Sequence, residues 1–358
     1  MKFLVAQVSP ELCLTEKDFI LAIDKKIFNI TKDHDQIDLV FFPEALGLWL
    51  CMMEPTSWLS RIFSRFLHPH RANAVQMHKW IADDTDRSDE IIANLQFARP
   101  EKKINNNITY KSMYGLLDSI LSYNEVRFIE PKNIKLANFL TKISNWIFSK
   151  LSLKFLAQYL RSNEILSAYK SAFSLAAQKY NVHIQAGSLF ERVIGGTKNV
   201  AYVFAPDGSI VCRQEKWNPI AFEGMLGVKP GSGYDTFDVK GVKCGIAICN
   251  DLGFKNNLVK VLSDAGCALV AGPSGGIVPS HLWKFDYKRD VEDCQIARAK
   301  ESNVVIGRSY NAGDLLLGVL KFQGLSTIVD SKGLISIVPK ERIRDEYNLV
   351  YEIEKPPD

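Results

Sequence analysis

The chain alternates short apolar runs with stretches in which apolar residues recur at helical spacing. Residues 1–48 predict a strand, a helix and a second strand, and that second strand, Asp38–Phe42, runs directly into Pro43 and Glu44. From residue 164 to residue 353, apolar strands alternate again with helical stretches. The clearest strands are predicted at Val182–Gly187, Val200–Phe204, Val242–Cys249, Ala268–Ala271, Val304–Gly307 and Leu325–Val329. This alternation predicts an α/β layered fold.

Residues 49–163 interrupt that rhythm with mostly helical patterns and many cationic residues. Neither Pro55–Ile81 nor Pro131–Asn163 contains an acidic residue. In the second stretch, Phe139 and Trp146 fall on an apolar helical face, with lysines on the opposite face. We interpret residues 49–163 as a helical, cationic insertion into a single domain that otherwise occupies the whole chain, residues 1–358.

Composition restricts the class of protein. With 358 residues, 47% of them apolar and 23% charged, the chain can bury a sizeable core. The net charge of +4 is too small to indicate nucleic-acid binding. Seven scattered cysteines without metal-ligand spacing indicate reduced thiols, so we expect a cytoplasmic protein. The first apolar run is too short for a signal peptide, and the sequence predicts no transmembrane helix.

Three polar residues lie where predicted strands end. Cys249 follows the apolar run Gly245–Ile248, Glu44 follows Asp38–Phe42, and Lys216 follows Ser209–Arg213. Open α/β sheets bind ligands at the carboxyl ends of their strands. A thiol of ordinary pKa is mostly protonated at neutral pH and needs a base or a cation beside it to become a nucleophile. Taken singly, the three could be a core thiol, a helix-capping acid and a surface charge, but together they predict nucleophilic chemistry.

The segments around these residues resemble the nitrilase superfamily of carbon–nitrogen hydrolases, which carries a Glu-Lys-Cys triad. Phe42-Pro43-Glu44-Ala45 resembles its glutamate motif, and Gly245–Asp251 resembles the approach to its cysteine. Other similar segments are Ala186–Leu189, Lys198–Ala201, Ala205–Gly208, Pro230–Gly233, Val270–Gly275 and Ala297–Asn303. The resemblance covers residues 1–48 and about 164–353. It implies a nitrilase-like α-β-β-α sandwich, here with a large, mostly helical insertion.

The resemblance also implies roles. Cys249 would attack an amide, nitrile or carbamoyl carbon, and Glu44 would take the thiol proton and later activate water. A covalent acyl-enzyme would form, and ammonia or an amine would leave. Lys216 and the backbone N–H of Asn250 would bind the oxyanion. Glu223 stands where many members carry a second glutamate that orients the lysine.

Substrate binding is less well defined. From the resemblance, we expect Trp217 and Ser274 to contribute to the substrate site. Asp251 follows the cysteine as in many members, but Leu252-Gly253-Phe254 lacks the arginine that usually comes next, so the substrate class stays open. No cofactor or metal is implied, because His68, His70 and His78 lack the further ligands of a metal site.

Several alternatives remain at this point. The same triad could serve an N-acyltransferase with an amine as acceptor, or the fold could be an inactive binding scaffold. Family members usually pair, and this chain retains Lys255–Gly266 and Leu334–Val338, so we expect a homodimer. The insertion could form a lid over the site or make peripheral contact with an anionic membrane. A small-molecule amide or nitrile is the expected substrate, and no nucleic-acid partner is expected.

Overall fold

In the computed structural model, the described residues are 1–9, 11, 13, 15–34, 36–50, 162–220, 223–224, 227–253, 258–279, 288–315, 320–322 and 324–354. They form two six-stranded sheets and one small three-stranded sheet. The strands are β1 (Lys2–Gln7), β2 (Leu39–Phe41), β3 (His183–Val193), β4 (Gly196–Phe204), β5 (Ile210–Glu215), β6 (Thr236–Val239), β7 (Val242–Ile246), β8 (Leu269–Ser274), β9 (Ile277–Pro279), β10 (Val305–Tyr310), β11 (Asp314–Leu315), β12 (Leu320–Phe322), β13 (Thr327–Asp330), β14 (Gly333–Ile337) and β15 (Tyr347–Glu352).

The first sheet has the order β15-β1-β2-β3-β4-β5, and the second has the order β14-β13-β10-β8-β7-β6. In the first sheet β1, β2 and β3 are parallel. In the second sheet β7, β8 and β10 are parallel. Because β4 is antiparallel to both β3 and β5, strand β5 runs in the same direction as β3. The carboxyl ends of β2 and β5 therefore lie at one edge of the first sheet, and those of β7 and β8 lie at one edge of the second.

Helices cover the outer face of each sheet. Helices α1 (Glu16–Lys32) and α2 (Ser162–Tyr180) pack together and share one core with the first sheet. Helices α3 (Leu258–Asp264) and α4 (Ala297–Ser302) share another core with the second sheet, and a π-helix, Lys288–Ile296, leads into α4. A third core lies between the sheets. Three cores between four layers confirm the predicted α-β-β-α sandwich.

Local sequence explains how these elements form. Thr15 caps α1: its hydroxyl accepts from the backbone N–H of Asp18, and the Asp18 carboxylate accepts from the backbone N–H of Thr15. Along β1, Phe3 and Val5 face the core between the sheets, while Leu4 and Ala6 face the helices. A parallel strand with both faces buried is a continuous apolar run for this reason. At Gly307 of β10 the sheets approach closely, since an added Cβ would lie 2.8 Å from the Phe41 ring.

The structure differs from the predicted elements at one important boundary. The strand expected over Val242–Cys249 ends at Ile246, and Cys249 begins a 3-10 turn, Cys249–Leu252. The predicted insertion lies almost entirely outside the described residues, which resume in the helix that begins at Ser162. The lid and membrane hypotheses rest on residues in that range. Among the described residues, no helix is both long enough and apolar enough to cross a bilayer.

Candidate active site

Contacts from both sheets fix the turn that carries Glu44. Ala45 adopts a left-handed backbone with φ of 64°, and its N–H donates to the Ser188 hydroxyl over 3.0 Å. The Asn311 side-chain amide, from the segment after β10, donates to the Glu44 carbonyl over 2.8 Å. Gly187 leaves room for this turn, because a Cβ there would lie 2.0 Å from the carbonyl oxygen of Pro43. The Glu44 carboxylate is thereby held in the interior with 7% exposure.

Lys216 follows β5 and is buried between two carboxylates. Its Nζ lies 2.7 Å from Oε1 of Glu44 and 2.7 Å from Oε2 of Glu223. Burial alone would lower the pKa of Lys216, but the charges of Glu44, Cys249 as a thiolate and Glu223 raise it above its ordinary value. Lys216 is therefore an ammonium at neutral pH. The structure thus brings Glu44, Lys216 and Glu223, three of the four catalytic residues predicted from the sequence, into direct contact.

Asn199 on β4 completes a ring of hydrogen bonds around Lys216, and it was absent from the predicted site. Its Nδ2 donates to Oε1 of Glu44 over 2.9 Å and to Oε1 of Glu223 over 2.8 Å. Its backbone carbonyl accepts from the N–H of Lys216 over 2.8 Å. The signal in the sequence was a polar residue directly before the buried apolar run Val200–Phe204.

Cys249 has a left-handed backbone, with φ of 50°, at the start of the 3-10 turn. The buried carboxylate of Asp251 ties this turn to the segment after Lys216. It accepts from the backbone N–H of Asn218 over 2.8 Å, of Trp217 over 3.1 Å and of Ile248 over 3.3 Å. The nucleophile's loop and the lysine's loop therefore have a common anchor.

The Cys249 thiol is protonated at neutral pH. Burial raises the pKa of Cys249 to about 11, helped by the Glu44 carboxylate, while Lys216 and Arg308 act in the opposite direction. Reaction therefore requires that a base remove the proton as the sulfur attacks.

Arg308 on β10 is a second buried cation that the sequence did not single out. Its Nε donates to the Ser274 hydroxyl over 2.8 Å, and its guanidinium lies 4.7 Å from the centre of the Tyr310 ring. The N–H of Gly275, the residue after Ser274, donates to Oε2 of Glu44 over 2.9 Å. Ser274 therefore contacts Arg308 and directly precedes the residue that binds Glu44.

Trp217 and Asn250 lie on the two loops that Asp251 joins. The Trp217 indole N–H donates to the Gly233 carbonyl over 2.5 Å, and its ring packs beside the core of the second sheet. The Asn250 side chain is exposed and donates to the Asn218 carbonyl over 3.1 Å. Its backbone N–H belongs to the first turn after Cys249, where such groups lack partners within the turn.

Metal binding finds no support in this part of the chain. Within the described ranges, no group of three or more His, Cys, Asp or Glu side chains could hold an ion. His68, His70 and His78 lie outside those ranges.

Comparisons with known proteins identify relatives of part of this chain. Omega-amidase NIT2 of Mus musculus is 28% identical over 173 residues, which span 45% of this chain and 59% of that protein. The probable hydrolase YhcX of Bacillus subtilis is 34% identical over 156 residues, which span 43% of this chain and 29% of that protein. The match thus spans less than two thirds of either relative.

Solved structures share the fold across nearly the whole chain. An amidase from Nesterenkonia sp. superposes with a TM-score of 0.58 at 13% identity, over 99% of this chain and 90% of that one. A carbon–nitrogen hydrolase from Helicobacter pylori superposes with a TM-score of 0.57 at 16% identity, over 98% and 88%. At such identities the likeness shows the fold alone. The family model for carbon–nitrogen hydrolases matches residues 140–345, more than half of the sequence. The chain belongs to the carbon–nitrogen hydrolase family, the nitrilase superfamily.

Proposed function

We propose that this protein hydrolyses a non-peptide carbon–nitrogen bond through a covalent intermediate on Cys249. One observation carries the proposal: the Lys216 ammonium is held 2.7 Å from both Glu44 and Glu223 in the interior, beside a protonated thiol. A buried cation, a buried base and a thiol are the groups that nucleophilic acyl transfer requires.

The proposed reaction begins when Sγ of Cys249 bonds to the carbonyl carbon of an amide and its proton passes to Glu44. The carbonyl π electrons move onto oxygen, and the resulting oxyanion is stabilised by Lys216 and the backbone N–H of Asn250. When the tetrahedral intermediate collapses, the carbon–nitrogen bond breaks and the nitrogen takes the proton from Glu44. Ammonia or an amine leaves, and a thioester remains.

Water completes the cycle. Glu44 accepts a proton from water, whose oxygen bonds to the thioester carbon, and the carbon–sulfur bond then breaks. The proton returns from Glu44 to sulfur, which regenerates the thiol and releases the acid. Glu223 keeps Lys216 in place throughout, since its Oε2 also accepts from the N–H of Ile220 over 2.9 Å and is itself fixed.

Amides are the substrate class we favour, because the mouse relative is an omega-amidase and the Nesterenkonia protein is an amidase. A glutamate-to-glutamine mutant of the latter shows Michael addition of acrylamide at its active-site cysteine. Acrylamide is therefore a suitable probe here: sulfur would bond to its terminal alkene carbon, and a proton would be added at the neighbouring carbon.

The test combines intact-mass measurement with product analysis on the full-length protein. We expect one acrylamide adduct in Glu44→Gln and none in Glu44→Gln/Cys249→Ala, while Glu44→Gln/Cys294→Ala, which changes another half-buried thiol, should retain the adduct. Incubation with a panel of small amides, nitriles and carbamoyl compounds should release free acid and ammonia or an amine. Acyl-amine formed from an added amine would instead indicate an N-acyltransferase. No adduct and no turnover would refute the proposal and leave a binding scaffold.

We further propose a homodimer as the working form, on the basis of the retained Leu334–Val338 and Lys255–Gly266 segments, and a cytoplasmic location, on the basis of the scattered cysteines. Light scattering should give twice the chain mass across a concentration series. A constant monomer mass would refute the dimer without affecting the proposed chemistry.

A further inference from the structure

The amide of Asn199 joins the two carboxylates that flank Lys216. One nitrogen, Nδ2, is 2.9 Å from Oε1 of Glu44 and 2.8 Å from Oε1 of Glu223. Asn199 is 1% exposed, so these bonds form away from water. Hydrogen bonds to ionised acceptors are the stronger kind.

Chemistry fixes the orientation of this amide. Ionised carboxylates only accept hydrogen bonds, so the NH₂ group must face them and Oδ1 must face away. That oxygen is buried and has no hydrogen-bond partner among the residues that the structure describes. Leaving such a group unpaired is destabilising. The amide therefore donates to the carboxylates at the expense of its own oxygen.

The two oxygens of Glu44 are used differently. Oε1 accepts from Lys216 and from Asn199, which accounts for both of its lone pairs. Among the described residues Oε2 accepts one bond, from the N–H of Gly275. Oε2 therefore keeps a lone pair for one further proton.

We propose that Asn199 is a positioning residue. Together with Lys216 it occupies both lone pairs of Oε1 of Glu44, so that Oε2 is the atom that receives the Cys249 proton and returns it to the leaving nitrogen. The proposal rests on the proposed function. Asn199 lies outside the Glu-Lys-Cys triad, and Oε2 is the oxygen of Glu44 that carries the transferred proton.

The first test is Asn199→Leu, which keeps the number and branching of the side-chain heavy atoms and removes both donated bonds. We expect kcat to fall at least about tenfold, less than the roughly 10²–10⁴-fold that loss of the general base itself would cost. Leucine offers no donor to either carboxylate, so the acid limb of the kcat/KM profile should move to higher pH. Asn199→Asp, which is nearly isosteric, places a third carboxylate beside Lys216 and should move the acid limb in the same direction even if the leucine variant folds poorly.

Gln185→Leu is the matched control. Gln185 is also a fully buried amide whose oxygen has no partner within the described ranges, but its nitrogen donates to the Gly187 carbonyl and not to a carboxylate. We expect it to leave the acid limb at the wild-type pH. A wild-type acid limb in both Asn199 variants would overturn the inference, whatever happens to kcat. If wild-type turnover does not need Cys249, the proposed function itself has failed, and the two results are thus distinguishable.

Discussion

Lys216 Nζ lies 2.7 Å from Oε1 of Glu44, although 172 positions separate the two residues along the chain. The contact exists because β2 and β5 run in the same direction and end at the same edge of the first sheet. Both groups are nearly sealed from water, and Glu223 adds a second negative charge to the same ammonium. A buried charge is strongly destabilising unless it is paired, so removal of one member of this cluster leaves the others with an uncompensated charge.

Cys249→Ala and Glu44→Gln should each remove nearly all turnover of a small amide. The first removes the nucleophile, and the second removes the base while it preserves shape. Because both act in one proton transfer, the double variant should be little worse than either single variant. Steady-state kinetics on all three proteins measures this. Substantial activity in Cys249→Ala would contradict the mechanism.

Lys216→Met should destabilise the fold as well as abolish activity. It leaves two buried carboxylates without their cation, and breaking a buried ion pair in this way costs about 3–5 kcal/mol. Urea denaturation measures the free energy of unfolding. Adding Glu44→Gln and Glu223→Gln to Lys216→Met should restore much of it, because no buried charge then lacks a partner. A triple variant as unstable as the single one would show that charge is not the cause.

Arg308→Met should raise the pKa of the Cys249 thiol further, because a cation that favours the thiolate is lost. The rate of alkylation by iodoacetamide should therefore fall at any fixed pH below about 11. Arg342→Met serves as the control: that arginine also stacks on a tyrosine, Tyr347, but lies on the surface beside Asp345. Equal alkylation profiles in wild type and Arg308→Met would exclude an electrostatic role for Arg308.

Glu44→Gln should have the opposite effect on the thiol. Removal of the carboxylate lowers the pKa of Cys249, so alkylation at neutral pH should accelerate even though turnover is lost. Faster alkylation together with lost turnover would show that Glu44 acts as a base during the reaction and does not only keep Cys249 as a thiolate. Slower alkylation in Glu44→Gln would favour the second role.

Asp251→Asn should loosen the loop of the nucleophile. The carboxylate oxygens accept from backbone N–H groups of Trp217, Asn218 and Ile248, and an amide nitrogen in place of one oxygen would face a donor. At least one buried N–H would lose its acceptor, at about 1–3 kcal/mol. Denaturation should show that loss, together with reduced kcat. Unchanged stability would mean that the loop holds its shape without this anchor.

The sequence by itself determined the layered fold and the positions of Glu44, Lys216 and Cys249 at strand ends, because apolar periodicity is local and strand ends are visible in it. It also contained Glu223, through its place after Lys216 in a family pattern. The prediction that the strand continues to Cys249 was wrong, because β7 ends at Ile246. The left-handed backbone at Cys249 cannot be seen in the hydropathy pattern.

Tertiary structure alone decided which other polar side chains meet these residues. Asn199 reaches both glutamates because β4 pairs with β5, and Arg308 reaches Ser274 because β10 pairs with β8. Asp251 joins two loops that are more than thirty positions apart. Such contacts depend on strand register and on the packing of one sheet against the other. Neither is encoded in any local stretch of residues, because register is a property of the paired strands together.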